Sequence, residues 1–570
     1  MALSPLSRQE VTQFRGASSG LRYSDSFAQP PPMNDAFLLP QLIRVAADRA
    51  PDSSALTMSG AGLTYAALDA AVSGLAAGLV GLGLPRGGRV GIWLEKRFET
   101  VVGSFAAPAA GGVFVPMNPL LKPEQVFYIA QDCDVQVLLT SPERLALLQP
   151  HFALLPTLRH VVLTQGTANL KALPAGVILH RYEDLVAAPL RCPHRVIDTD
   201  MVAILYTSGS TGRPKGVVLS HRNMVAGAKS VASYLGNHAQ DRLLAALPLS
   251  FDAGFSQLTT AFHAGASVEL INYLLPRDVL RAMVRTQVTG LTAVPPLYIQ
   301  LTQLAWPEEI GRHLRYFANT GGRMPRETLD GLRQRVPMAK PFLMYGLTEA
   351  FRSTYLPPDE VDHRPDSIGK AIPNAEILVL RADGSECDAD EPGELVHRGA
   401  LVGMGYWNDA EKTAERYRPL LVGMGARESG LQLQEMAVFS GDTVRRDTDG
   451  FLYFIGRRDE MIKTSGYRVS PTEVEEILYA TKLVGECAAF GVAHPSLGQV
   501  IRVIVTPADP EAGLQVDTLL AECRRRMPAY MVPAQFDVEP APLPRNPNGK
   551  IDRKSLAERS DVEGRGEVQS

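Results

Sequence analysis

Residues 206–216 read Tyr206-Thr-Ser-Gly-Ser-Thr-Gly-Arg-Pro-Lys-Gly216 and lie between two apolar runs, VAILYT (202–207) and GVVLSH (216–221). Both flanks have the near-continuous hydrophobicity of buried strands, so the glycine-rich stretch is expected to close a hairpin rather than open a helix. Its composition suits an anion. Gly209, Gly212 and Gly216 free backbone N–H groups to turn toward a phosphate, Thr207, Ser208, Ser210 and Thr211 add hydroxyl donors, and Lys215 brings a mobile positive charge. It is not a P-loop, because no glycine stands five residues before a Gly-Lys-Ser/Thr and no helical pattern follows directly.

Outward from this loop the chain alternates strand-like and helical patterns. RVGIWLE (89–95), GGVFVPM (111–117), VQVLLTS (135–141), HVVLTQG (160–166), SVELIN (267–272) and GLTAVPP (290–296) are apolar runs closed by turn residues. The fold class is therefore α/β, with a large N-terminal domain of α/β sheets over residues 33–458. Runs such as AEILVLRADGSE (375–386), GELVHRG (393–399) and DGFLYFIGRRDE (449–460) predict a barrel-like β subdomain at about 370–458. A small mobile α+β domain is expected over 459–560. Within it SPTEVEEILYA (470–480) predicts a helix with Ser470 as N-cap, Pro471 at N1 and Glu473 at N3. Apolar spacing at Phe37, Leu38, Leu42, Ile43 and Ala46 predicts a first helix. Residues 1–32, polar and ending in three prolines, read as a disordered extension without a secretory h-region, and residues 561–570 as a disordered tail.

Composition narrows the function classes. The chain has 570 residues, enough for two to four domains. Its 57 Lys and Arg against 61 Asp and Glu leave a formal charge of −4, which lacks the electrostatic footprint of a nucleic-acid binder. No apolar run reaches the ~18 residues of a membrane span. The 5 cysteines show no CxxC spacing, so neither a zinc site nor a disulfide framework is expected, and a reducing, cytoplasmic setting is.

Further motifs follow the loop in order, and together they resemble the AMP-forming adenylating superfamily of acyl-CoA synthetases, luciferases and peptide-synthetase adenylation domains. The likeness covers about residues 35–555. It implies that the 206–216 loop grips pyrophosphate and that ATP and Mg²⁺ are used. Tyr345-Gly346-Leu-Thr348-Glu349 resembles the motif whose aromatic ring stacks on adenine, whose Thr contacts the α-phosphate and whose Glu holds Mg²⁺. Gly321-Gly322-Arg323 is similar to the segment lining the adenine pocket, and Ser440-Gly-Asp442 to the motif whose Asp takes the ribose hydroxyls. In Gly456-Arg457-Arg-Asp459-Glu-Met-Ile-Lys463, the resemblance implies that Arg457 approaches the ribose and Asp459 is a hinge. Gly466-Tyr467-Arg468 would face the site during thiol transfer, and Lys550 of Pro547-Asn-Gly-Lys-Ile-Asp-Arg553 would reach the α-phosphate.

The implied reaction joins a carboxylic acid to AMP with loss of pyrophosphate, then passes the acyl group to a thiol of CoA or of a carrier protein's phosphopantetheine. Which acid is taken stays open. Phe251-Asp252 stands where many fatty and aromatic ligases carry a His, and it resembles amino-acid-activating domains in which that Asp pairs with the substrate amine. Alternatively Asp252 caps the helix running through Ser256, Leu258 and Phe262. The stretch from Thr464 to Pro471 leans toward acyl-CoA synthetases, and residues 418–442 resemble acyl-CoA ligases associated with exosortase systems. No carrier module follows Lys550, so a stand-alone enzyme is expected, with a small carboxylic or amino acid as substrate and a separate carrier protein as an alternative acceptor.

Overall fold

The computed structural model describes residues 35–166, 176–207, 214–421, 424, 430, 433–457, 460–464, 467–494, 498–540, 542–547 and 549–566. The proposed extension at 1–32 lies outside them. Every apolar run named above folds as a strand, within one to three residues of its sequence bounds at most positions. Among the described residues these strands form three sheets.

One sheet carries the hairpin. Its order is Gly405–Tyr406, Lys215–Ser220, Met201–Thr207, Val113–Met117, Arg89–Trp93, Val137–Thr140, His160–Leu163 and Ile178–Arg181. Met201–Thr207 and Lys215–Ser220 pair antiparallel with Thr207 opposite Lys215, whereas the remaining long strands run parallel. The second sheet has a parallel part built on Arg242–Ala245, Gly290–Ala293, Tyr316–Asn319 and Lys340–Tyr345. Through Thr354–Leu356 and Ser367–Ala371 it continues into the antiparallel strands Leu452–Arg457, Met436–Arg446, Gly393–Gly399 and Ala375–Leu380. The β subdomain is thus an extension of the second sheet.

Four helices fill the space between these sheets: Tyr65–Gly81, Phe98–Ala109, His221–Leu235 and Asp252–Ala264. Their apolar faces meet in one cluster, where Phe255 stacks on Phe114 and Phe105 at centroid distances of 4.8 and 5.6 Å. Burying rings of this size supplies both large apolar area and directional contact. Asp252–Ala264 is buried along nearly its whole length, so its polar residues must find partners indoors.

The third sheet belongs to the last hundred residues: Ile462–Thr464, Tyr467–Val469, Val484–His494, Gly498–Pro507 and Gln535–Val538. It has its own apolar cluster around Val474, Leu478, Val503 and Leu519.

Three local expectations are corrected. The first helix begins at Gln41, after Pro40, which leaves Phe37 outside it and largely exposed. Ser470 occupies the N-cap position of Pro471–Tyr479, but its hydroxyl meets Thr472 Oγ1 at 2.7 Å and makes no cap bond. The last helix runs Arg553–Gly566, past residue 560, after which a disordered tail was expected.

Candidate active site

The hairpin, two motif turns and the C-terminal lysine come together between the sheets. Ser208, Gly209, Ser210, Thr211 and Gly212 at the hairpin tip lie outside the described residues, as do the hinge residue Asp459 and Gly466. Tyr467 is described in the backbone of a short strand paired with Ile462–Thr464, as is Arg468. The base of the hairpin is well braced. Thr207 faces Lys215 across the ladder, and Tyr206 Oη donates to Asp132. Lys215 Nζ lies 5.6 Å from the centroid of the Tyr406 ring.

Tyr406 connects this lysine to the next motif, for its hydroxyl donates to Glu349 Oε1 at 2.5 Å. Glu349 sits in the single 3₁₀ turn Thr348–Ala350 that follows the strand ending at Tyr345. Its backbone carbonyl accepts from Gly403 N at 2.8 Å, and Thr348 is buried beside it. Gly346 leaves room for Arg352, whose Cα would lie 3.0 Å from an added Cβ. Phe351 closes the turn with φ +58°, a strained value for an aromatic residue. Gly227 makes space for that ring, since a Cβ there would stand 2.3 Å from Phe351 Cδ1.

On the β-subdomain side, Tyr345 Oη donates to Asp442 Oδ2. Arg457 faces Asp442 across the ladder, with Nε 3.2 Å from Oδ1. Burial pushes the Asp442 carboxyl above the usual range, and the Arg457 charge works against that shift. Tyr345, Asp442 and Arg457 therefore form one connected unit.

Lys550 arrives from the C-terminal domain. Its Nζ lies 5.8 Å from the Phe251 ring centroid, and its Cε packs over Gly321. Gly321 has φ +77°, and a Cβ on it would fall 2.9 Å from Lys550 Cε, so the lysine's seat depends on the missing side chain. Gly322 O accepts from Asn319 Nδ2 at 2.8 Å, and Asn118 Nδ2 donates to Pro547 O at 2.5 Å, tying the two domains near the lysine. Burial holds the Lys550 ammonium below its ordinary pKa, with Asp252 pulling it back up.

Asp252 is the first residue of the helix Asp252–Ala264, and Phe251 holds the N-cap position. Its carboxylate is 4% exposed and Oδ1 has no hydrogen-bond partner. Burial raises its pKa; Arg352 and Lys550 lower it and Glu349 raises it further. Thus Asp252 does not act as the N-cap, and it feels the charges of both the hairpin-side and the tail-side motifs.

Arg323, expected beside the adenine pocket, makes two ion pairs. Its guanidinium pairs with Asp366 at 2.7 Å and with Glu476 of the C-terminal domain at 3.4 Å, so it bridges domains. Lys482–Glu327, at 2.5 Å, reinforces the same contact. Three residues escaped the sequence reading: Tyr406, Asn118 and Arg352. Tyr406 stands in a GYW segment whose spacing relates to no other motif, and the other two carry no pattern at all.

Residues 43–407 match the AMP-binding enzyme family and residues 473–550 match the AMP-binding enzyme C-terminal domain. The chain belongs to this family of adenylate-forming, ATP-binding ligases. It is 27% identical over 562 residues to a long-chain-fatty-acid–CoA ligase of Salmonella typhimurium, covering 93% of this chain and 95% of that protein. It is also 28% identical over 518 residues to gramicidin S synthase 2 of Brevibacillus brevis, covering 89% of this chain but only 11% of that synthase. Among solved structures, o-succinylbenzoate CoA synthetase of Bacillus subtilis with its acyl-adenylate is 26% identical with a TM-score of 0.75, over 90% of this chain and 97% of that one. The same enzyme solved with ATP and magnesium gives 0.74 at 26%, over 90% and 99%. No helix among the described residues is long and apolar enough to cross a membrane.

Proposed function

We propose that the chain activates a carboxylic acid with ATP and transfers the acyl group to a thiol, CoA being the favoured acceptor. The observation that carries this reading is the meeting of Lys550 with Gly321, Phe251 and the field of Asp252, close to the turn that presents Glu349. The substrate carboxylate would attack the α-phosphorus in line, forming the acyl–phosphate bond and breaking the bond to pyrophosphate. Little covalent work falls to the protein in such transfers; positioning and charge neutralisation dominate. Lys550 would neutralise charge growing on the α-phosphate, Thr348 would orient it, and Lys215 with the hairpin tip would hold the departing pyrophosphate. Tyr345 would stack on adenine beside Gly321 and Gly322, while Asp442 and Arg457 would hold the ribose.

Glu349 would hold Mg²⁺. Among the described residues no group of three or more acidic, His or Cys side chains is placed to hold a metal. A cation at Glu349 must then take most of its oxygens from bound phosphates and water, which is how Mg²⁺ is held at nucleotide sites, so the donor set fits. When bound, the ion supplies Lewis-acid stabilisation of phosphate charge. The second half-reaction needs Lys550 withdrawn; rotation of the C-terminal domain about Asp459 would achieve this and bring the loop at Gly466, Tyr467 and Arg468 to the site. In that movement the pairs of Arg323 and Glu327 would break.

The alternative reading is an amino-acid adenylating enzyme that loads a separate carrier protein. The unpartnered oxygen of Asp252 favours it, because an ammonium group would supply the missing cationic donor. Pyrophosphate exchange over fatty, aromatic and amino acids tests both. Lys550→Ala should lower exchange about 10²-fold or more, and exchange at the wild-type rate would remove the lysine from the mechanism. Exchange confined to amino acids, and lost in Asp252→Ala, would select the alternative.

A further inference from the structure

Arg352 follows Glu349 by three residues but points elsewhere. It is 2% exposed, and Nη1 donates to Thr320 Oγ1 at 2.9 Å, while Nε has no partner. Among the described residues it forms no ion pair, and Asp252 is the buried carboxylate that feels its charge. A buried guanidinium with an unused N–H is costly unless something arrives to accept that bond.

The surroundings say what could arrive. Arg352 lines a cavity with Ser256, Gln257 and Thr260 of the buried helix and with Thr292 of the second sheet. The cavity reaches Ala253, next to Asp252, and has room for about one water-sized group, ≈ 10 Å³. Gln257 is also buried. Its Nε2 donates to Gly254 O at 3.0 Å, which turns Oε1 away from that carbonyl, and Oε1 has no partner. One wall therefore offers an unused donor and another an unused acceptor. An alkyl terminus would leave both unpaired, whereas a neutral group that accepts one hydrogen bond and donates another satisfies both.

We propose that Arg352 and Gln257 select a short acid whose tail ends in a hydroxyl. This rests on the adenylation reading, and the test separates the two. Pyrophosphate exchange is measured on the full chain with 4-hydroxybutyrate, succinamate and valerate, alongside long-chain and aromatic acids. A site built around hydrogen bonds rejects an analogue that lacks them far more strongly than one that differs by a methylene. 4-Hydroxybutyrate should therefore exceed valerate by about 10²-fold or more in kcat/KM, and succinamate, whose end group is larger than the cavity, should fall below 4-hydroxybutyrate.

Arg352→Met should erase that preference while leaving valerate exchange within a few fold of wild type. Gln257→Leu should do the same, and it guards against failure of the first variant to fold. Valerate performing as well as 4-hydroxybutyrate, or exchange only with long-chain or aromatic acids, overturns the inference while leaving adenylation intact. So does an equal loss across all acids in both variants, which would mark the pair as structural. Exchange with no acid of any class would instead overturn the adenylation reading itself.

Discussion

Asp241 and Asp252 are eleven positions apart and almost equally buried, at 1% and 4% exposure. Their surroundings are opposite. Asp241 accepts from Arg315 Nε and Nη2 at 2.8 and 2.6 Å, from Thr289 Oγ1 at 2.7 Å and from His238 N at 3.1 Å. Against the cost of burial, these bonds hold its carboxyl below the usual range. Asp252 keeps an oxygen without a partner, and burial lifts its carboxyl above that range. By depth alone the two are alike; only their partners separate a charge that holds strands and loops together from one that keeps an oxygen unpartnered. Position in the fold agrees. Asp241 precedes the strand Arg242–Ala245, at the end away from the site, and Asp252 opens the helix beyond its other end.

The sharpest way to break this contrast is Asp241→Ala. Removing this buried carboxylate, whose Arg315 partner is half-exposed, should cost about 1–3 kcal/mol in denaturant unfolding and leave Thr289 without its acceptor. A loss under 1 kcal/mol would mean that the network is slack. Asp252→Asn should move the other way and stabilise the ligand-free protein by roughly 1 kcal/mol, the low end of the cost of an unpartnered buried polar group.

The two sites also part company in acid. A carboxyl whose folded pKa is depressed contributes stability above its unfolded value and loses it as the pH falls through the folded one. One whose folded pKa is raised is penalised only as the pH rises through the unfolded value toward the folded one. The gain from Asp252→Asn should accordingly grow as the pH rises above about 4 and vanish below it, whereas the deficit from Asp241→Ala should persist to lower pH. Unfolding midpoints recorded across that range check both signs. At the bottom of the scale stands Asp198, paired with Arg222 at 2.8 Å but on the surface. Asp198→Asn should change stability by less than about 1 kcal/mol, and a larger effect would show that distance, not burial, governs these pairs.

Much of this was legible in the chain, and what was not has a common cause. The apolar runs announce their strands because burial on both faces removes polar alternation, and the hairpin is announced by its two flanks. The motif residues at 345–349, 440–442 and 547–553 are read through local patterns, and each lies in one short turn or ladder. The ion pairs of Arg323 were not legible in the sequence. Its partners, Asp366 and Glu476, are 43 and 153 residues away. Asp252 was ambiguous by a single position: one residue earlier it would have capped the helix. Tyr406 became interpretable only when folding placed its hydroxyl on Glu349, 57 residues upstream.

The bend at Phe351 carries a practical message for anyone wishing to retune this enzyme. Glu349 and Arg352 hang from one strained segment, wedged by a ring that needs the bare backbone of Gly227. Backbone changes in this bend would reach both Glu349 and Arg352, whereas a side-chain swap at 352 that keeps the bend intact should leave the carboxylate in place. Substitutions at 257, anchored on a separate helix, offer the more independent handle.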